Sequence, residues 1–438
     1  MISKKKLKSY IFSSLIKAFI GTILFILIYA FSNKQITKLF AEDLSFDLLN
    51  KVVLENDTVN NTAPNVIIFG IDDYYFKSKD LLDEDNQTHY GDLFPRDKIA
   101  NFISKIDKFS EKISIDKQPR TLFIDYDVSF THSDYNSKMS PQDEILIEVL
   151  KQPRNYIILF PKNSKYNYIE SSTDKKIQTL IKNNQIIFVS VKLAKAEDFV
   201  TKRYIPYESY KHSVSQEKQI YPHASILMWK MAKGGDFAIE NFKKQDVVKN
   251  RIIIKSYKPI KSKVENYIHK QSNWESLNYY SANYPLSRII SEKFYNSFIF
   301  LGGTYKNSED VFNVNSTQNK KLSGVEVHAN ALMTLSYFDG ELKQYNFIKS
   351  ILLVFIVFFI IDILINILFN KLKITSIELQ IIISLIIITL IMIIISIYIL
   401  VINKEWFNWF IPVLLFEIVE IIEFVNRYIL KILNKENT

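Results

Sequence analysis

The sequence predicts an α/β domain with a mostly parallel or mixed sheet, held between one N-terminal and three C-terminal transmembrane helices. Three observations lead there. Long apolar segments stand at both ends of the 438-residue chain. Short β-branched runs recur between them, and amphipathic helical patterns with capping signals separate those runs.

Residues 11–31 are apolar apart from Lys17 and a few hydroxyls, and about 20 such residues cross a ~30 Å hydrocarbon core as a helix. A cleaved signal peptide is the alternative, set aside because the apolar stretch is long and no small-x-small site precedes Ser32. Further spans are expected at 347–369, 377–402 and 406–425. Lys4, Lys5, Lys6 and Lys8 make residues 1–10 a basic tail, Lys371 and Lys373 lie in the loop between the second and third spans, and Arg427, Lys431 and Lys435 lie in 426–438. Lys/Arg bias keeps all three on the cytoplasmic side, which puts residues 32–346 outside. Trp406, Phe407 and Trp409 are expected at the outer interface, where amphipathic rings meet the headgroup layer.

Within 32–346, the runs Val66–Ile71, Leu122–Tyr126, Tyr156–Phe160, Ile186–Val191, Arg251–Lys255 and Phe298–Leu301 have the length and β-branched content of buried strands. Pro95 opens a helix whose Ile99, Phe102, Ile103 and Ile106 form one apolar face. Ser140-Pro141 with Asp143 starts another, and Ser323 with Glu326 reads as a capping box for a helix through Phe338. Residues 161–180 and 256–280 lack periodicity and read as surface loops. Strands alternating with helices imply an α/β layering.

Composition removes several functions. The formal net charge is +9, yet residues 32–346 hold 43 Lys+Arg against 39 Asp+Glu. The basic excess flanks the membrane, and no nucleic-acid partner is expected. With no cysteine, disulfides, zinc-thiolate sites and thiol catalysis are excluded. The histidines His89, His132, His212, His223, His269 and His328 show no metal-ligand spacing. No Walker loop, nucleophile elbow or His-Glu-x-x-His occurs, so no catalytic residues, metal or cofactor are assigned.

The run Val66 to Asp73, then Phe94-Pro95-Arg96-Asp97, Leu122 to Phe130, Asp198 with Arg203 and Pro206, Phe298 to Thr304 with Asp310, and Gly324-Val325-Glu326-Val327-His328-Ala329-Asn330 together resemble the second type of CHASE domain. Asp47 matches the acidic residue that this family places before its first strand. The resemblance covers residues 40–345, and one helix before with three after is similar too. It implies an extracellular sensory domain that passes a signal through its helices to a cyclase, kinase or diguanylate cyclase. Asp92-Leu93-Phe94 replaces the expected Trp-Pro, and the middle insertions are long. The chain ends at Thr438 soon after the last expected span, so no cytoplasmic output domain is expected.

Two groups of residues are candidates for function. Asp72, Asp73, Asp125 and Asp127 end predicted strands, where parallel sheets bind ligands, with Arg96, Asp310 and His328 as further members of a polar pocket. The same carboxylates equally suit helix capping and turn formation, which is the favoured reading. In the spans, Asp362 is a lone acid that either packs against Asn366 or marks a functional contact, and Glu417, Glu420 and Glu423 form an acidic stripe suited to a partner. The expectation is a multi-pass protein of the bacterial cytoplasmic (inner) membrane with its large domain on the periplasmic or extracellular side. It senses a signal and acts through an unidentified membrane or cytoplasmic signalling partner, with a homo-oligomer left open. A structural or assembly role in an envelope complex is the alternative.

Overall fold

The computed structural model describes residues 4–31, 43–49, 64–81, 94–128, 140–162, 167–195, 201–212, 215, 217–234, 252–253, 260–261, 277–289, 291–305, 310–314, 321–340, 343–374 and 376–436. The chain divides into two units: residues 54–341, and residues 1–53 together with 342–438. Asp198, His89, His132 and His269 lie outside the described residues. The second unit begins with helix α1 (Lys4–Phe31) and the short α2 (Asp43–Leu49).

The 54–341 unit runs β1 (Val66–Ile71), α3 (Asp73–Ser78), α4 (Arg96–Ser110), β2 (Thr121–Ile124), α5 (Pro141–Leu150), β3 (Ile157–Pro161), α6 (Lys175–Lys182) and β4 (Ile186–Val189). There follow β5 (Leu193–Lys195), β6 (Thr201–Tyr204), β7 (Tyr207–Lys211), β8 (Lys218–Pro222), α7 (Ala224–Ala232), β9 (Ile252–Ile253) and β10 (Ile260–Lys261). It closes with β11 (Leu277–Ser281), β12 (Phe298–Gly303), β13 (Val311–Asn313), β14 (Lys321–Ser323) and α8 (Gly324–Phe338). Seven strands make one sheet in the order β10-β11-β1-β12-β2-β3-β4, and every pairing in it is parallel.

The two-residue alternation of a strand explains why this sheet needs helices on both faces. Ile67, Phe69, Ile71, Leu122, Ile124, Ile158 and Phe160 join one core with Ile99, Phe102, Ile103 and Ile106 of α4 and Leu146 and Leu150 of α5. Their neighbours Val66, Ile68, Phe123, Leu159, Phe298 and Phe300 pack on the other face against Leu227 and Met228 of α7 and Val325, Ala329 and Leu332 of α8. Gly302 lets α8 approach β12, because a Cβ there would stand 2.6 Å from the Cβ of Val325. Local signals set the helix starts. Ser140 and Asp143 form a reciprocal capping box, as do Ser323 and Glu326.

Three expectations need correction. Residues 256–280 are not all surface loop, since β10 and β11 extend the main sheet and Tyr279 and Tyr280 are buried. The run Leu-Asn-Tyr-Tyr-Ser forms a strand whose Tyr279 hydroxyl lies inside, 2.6 Å from Thr304 Oγ1, and whose Ser281 hydroxyl donates to Asp72 at 3.0 Å. Within 161–180, Tyr168 and Ile169 are buried and α6 begins at Lys175. Of the Arg251–Lys255 run the described residues Ile252–Ile253 are a strand as expected, β9, but it pairs antiparallel with β6 outside the main sheet.

The other unit resumes with β15 (Lys343–Gln344), α9 (Phe347–Leu372), α10 (Ile377–Asn403), β16 (Glu405–Trp406) and α11 (Phe410–Glu436). Among the described residues, three helical segments are long and apolar enough to cross a membrane: Lys5–Ile28, Phe347–Leu372 and Glu378–Asn403. Along most of their length large apolar side chains, Phe12, Leu352 and Ile394 among them, stand exposed. β15 pairs with β16, and the Tyr345 amide donates to the Trp406 carbonyl at 2.8 Å. α11 starts at Phe410, four residues after the expected boundary. Trp406, Phe407 and Trp409 are covered by protein rather than turned outward. Trp406 meets Phe46 edge-on, Phe407 meets Tyr345, and the Trp409 indole donates to the Ser45 carbonyl.

Candidate functional site

The C-terminal ends of the parallel strands collect several of the expected residues. Asp125 follows β2, its amide bonded to the Leu301 carbonyl at 2.7 Å, and its carboxylate Oδ1 stands 3.8 Å from His328 Nε2 in the second turn of α8. That separation is too long for a hydrogen bond. Asp125 Oδ2 has no hydrogen-bond partner among the described residues. Burial, followed by the neighbouring Asp310 carboxylate, pushes the Asp125 carboxyl well above its ordinary range, and burial pulls His328 down to about 3. Burying a charge is costly without a close partner, so both side chains are driven to their neutral forms.

Asp310 holds the head of α8 through its backbone, its carbonyl accepting from the Gly324 amide at 2.9 Å. A Cβ on Gly324 would collide with the Asp310 carboxylate. Behind His328 lies His223, which caps α7 by accepting from the Ser225 amide at 3.3 Å. The two imidazole rings are 5.0 Å apart, and His223 also packs on Tyr204 at 4.3 Å. Burial, then the proximity of His328, lowers His223 well below the usual histidine range. The Ser225 hydroxyl donates to the His328 carbonyl at 2.8 Å and ties α7 to α8.

The remaining strand-end residues serve other tasks. Asp72 caps α3 by accepting from the Tyr75 amide at 2.8 Å and also accepts from the Ser281 hydroxyl at 3.0 Å. Asp73 is exposed in the first turn of α3. Arg96 is fully buried; its Nη2 donates to the Asp127 carbonyl at 2.6 Å and its Nε lies 4.0 Å from Asp143. It thereby joins α4, the end of β2 and α5. The structure therefore brings together Asp125, Asp310 and His328, while Asp72, Arg96 and Asp127 brace loops. Sequence reasoning left His223 unassigned; its place just before an apolar helix was the available signal. It also missed the buried Lys162–Glu170 pair, to which the Tyr221 hydroxyl adds a bond of 3.0 Å. Among the described residues, no three His, Asp or Glu side chains gather in a way that could hold a metal ion.

The helical unit holds a second cluster. Lys17 Nζ contacts Asp362 Oδ1 at 2.7 Å, Glu420 Oε1 at 2.8 Å and Glu423. Ser14 donates to Asp362, and Asn366 Nδ2 donates to Asp362 Oδ2 at 2.9 Å. α1, α9 and α11 thus converge on one ammonium group. Glu417 lies apart from it, its Oε1 making no hydrogen bond among the described residues. The sequence singled out the carboxylates but passed over Lys17 as an interruption. A lone lysine in one apolar helix and a lone aspartate in another were the legible sign.

Residues 21–364 match the family model described as the CHASE2 domain. The chain belongs to the CHASE2 family. CHASE2 is an extracellular sensory domain family, which accords with an α/β domain set between apolar helices. Comparison with curated proteins and with solved structures gave no match.

Proposed function

We propose that this CHASE2 chain is a multi-pass sensor of the bacterial cytoplasmic membrane. Its α/β domain lies on the periplasmic or extracellular side, both ends lie in the cytoplasm, and it relays a signal through its helices to a partner protein. The observation that carries this reading is the extent of the family match, which includes the domain and parts of the helices on both sides of it. Lys/Arg bias supports the orientation.

Four spans follow in this reading, with α11 as the last. Its glutamates keep it out of the apolar class, yet Glu420 and Glu423 meet Lys17, which lies within the first expected span, 11–31. A charge at that depth requires a counter-charge beside it. The carboxylates expected to bind a partner then serve cohesion within the chain, and the lipid bilayer covers the exposed apolar faces. Within the domain, Asp125, Asp310 and His328 form the place where the signal is registered.

Reporter fusions after Lys373 and after Thr438 should read cytoplasm, and one inserted at residues 163–166 should read outside. A reversed result at any of the three sites overturns the topology. A ligand screen on the full chain tests the sensing site, because bound ligand raises stability by RT ln(1 + [L]/Kd). A stabilising compound should lose its effect in Asp125→Asn, and an unchanged effect would move the site elsewhere.

A further inference from the structure

We propose that the lysines at the start of α1 and the end of α9 form one docking site for the phosphate headgroup of an anionic phospholipid in the cytoplasmic leaflet. The first ground is convergence. Lys6 Nζ donates to Asn370 Oδ1, and the Lys17–Asp362 contact further along both helices runs them antiparallel. The start of α1, with Lys5, Lys6 and Lys8, therefore meets the end of α9, with Lys371 and its C-cap Lys373. All five side chains are exposed, and Lys5 and Lys8, three residues apart on a helix, share a face. The second ground is charge. Residues 1–10 and 363–377 contain no Asp or Glu, and among the described residues none of Lys5, Lys8, Lys371 and Lys373 is ion-paired within the chain.

Neither helix stability nor membrane insertion accounts for this arrangement. The first turn of α1 holds no acid, and cations there oppose the helix dipole; only Lys371 and Lys373, at a helix C-terminus, gain from it. Lys/Arg bias fixes the side of the membrane on which the lysines lie, but it asks for a charge count and not for a contact between two helices. The neighbouring side chains select among anions. Leu7, Ile11 and Phe12 on α1 and Leu372 on α9 are exposed beside the lysines, so the partner must offer acyl chain next to negative charge. A soluble phosphate or a nucleic acid leaves those side chains in water. Basic notches between helices on the cytoplasmic side suit anionic headgroups. One headgroup held by both helices links the first helix of the chain to α9, the first helix after the domain.

Native mass spectrometry of the full chain, released from micelles holding equal phosphatidylglycerol and phosphatidylcholine, counts the lipid retained. Phosphatidylglycerol should be retained in preference. At about fivefold per lysine near an anionic surface, Lys5→Gln with Lys8→Gln should weaken that preference roughly 25-fold, and Lys371→Gln with Lys373→Gln should weaken it by a similar factor. The matching Arg variants should keep it. Equal retention of the two lipids by the parent chain, or an unchanged preference in both Gln variants, overturns the site. A loss confined to one Gln variant overturns the bridge between the helices. Displacement by millimolar inorganic phosphate would assign the lysines to a soluble anion and overturn the lipid. Should a Gln variant fail to insert, thermal unfolding of the parent in nanodiscs decides: stability must rise with phosphatidylglycerol content, and the gain must vanish at high salt. A gain insensitive to salt overturns the site. The choice of leaflet rests on the proposed topology and fails separately, by a reversed reporter after Lys373, whereas loss of lipid preference in the parent fails the site itself.

Discussion

The two units of this chain solve opposite packing problems. In the 54–341 domain, apolar strand residues such as Phe69 and Phe300 are fully buried and charge is mostly outside. In the helical unit, Phe12, Leu352 and Ile394 face outward while Lys17 and Asp362 are buried. The hydrophobic effect orders the first, because water is its solvent. It cannot order the second in lipid, where helices associate by packing and by polar contacts. Cohesion in the domain is therefore spread over many apolar contacts, and in the helical unit much of it falls on a few polar side chains.

That contrast can be broken most forcefully at Lys17. Lys17→Leu is apolar and suits a membrane helix, yet it leaves Asp362, Glu420 and Glu423 without their cation. Loss of one partner from a buried ion cluster costs about 3–5 kcal/mol, so the variant should lose most of its folded yield in mild detergent. Adding Asp362→Asn with Glu420→Gln and Glu423→Gln should restore much of that yield. Undiminished yield in Lys17→Leu would refute the polar account of the helical unit.

A paired truncation sharpens the same comparison. Phe69→Ala should destabilise the domain by about 3–5 kcal/mol through the cavity it leaves, whereas Ile394→Ala on an outward helix face should change stability by less than about 1 kcal/mol. Thermal unfolding of the full chain, followed separately for domain and helices by hydrogen exchange, measures both. Similar losses at the two positions would mean that the exposed helix face is packed against protein.

The third test is electrostatic and grows only gradually with pH. His328 is held neutral down to about pH 3 in the folded chain but titrates near its ordinary pH of about 6.5 when unfolded. Between those values the unfolded state binds the extra proton, so folded stability falls as pH falls, by at most about 1.4 kcal/mol per pH unit. Protection of α8 amides should weaken over that window, and His328→Phe should flatten the dependence. An identical slope in the variant would assign the acid sensitivity to another group, His223 being the nearest.

Legibility followed how local the cause of each feature was. Val66–Ile71 is a strand with the expected bounds, and the capping boxes at Ser140 and Ser323 open helices as expected, because both depend on residues within one turn. β11 was hidden because its tyrosines are stabilised by partners far away in sequence, Thr304 for Tyr279. The strand-end aspartates were legible as a set, but which of them meet His328 depends on α8 crossing β12 at Gly302. The Lys17 contacts join residues separated by more than three hundred positions, and no periodicity connects them.

The short pairing of β15 with β16 has a mechanical consequence. Lys343 and Gln344 are the segment through which the chain leaves the domain, and their partners Glu405 and Trp406 are the connection between α10 and α11. A pull on the exit segment is thus divided at once between the start of α9 and the α10–α11 hairpin. The start of α9 and the α10–α11 connection are thereby tied at one point of the chain.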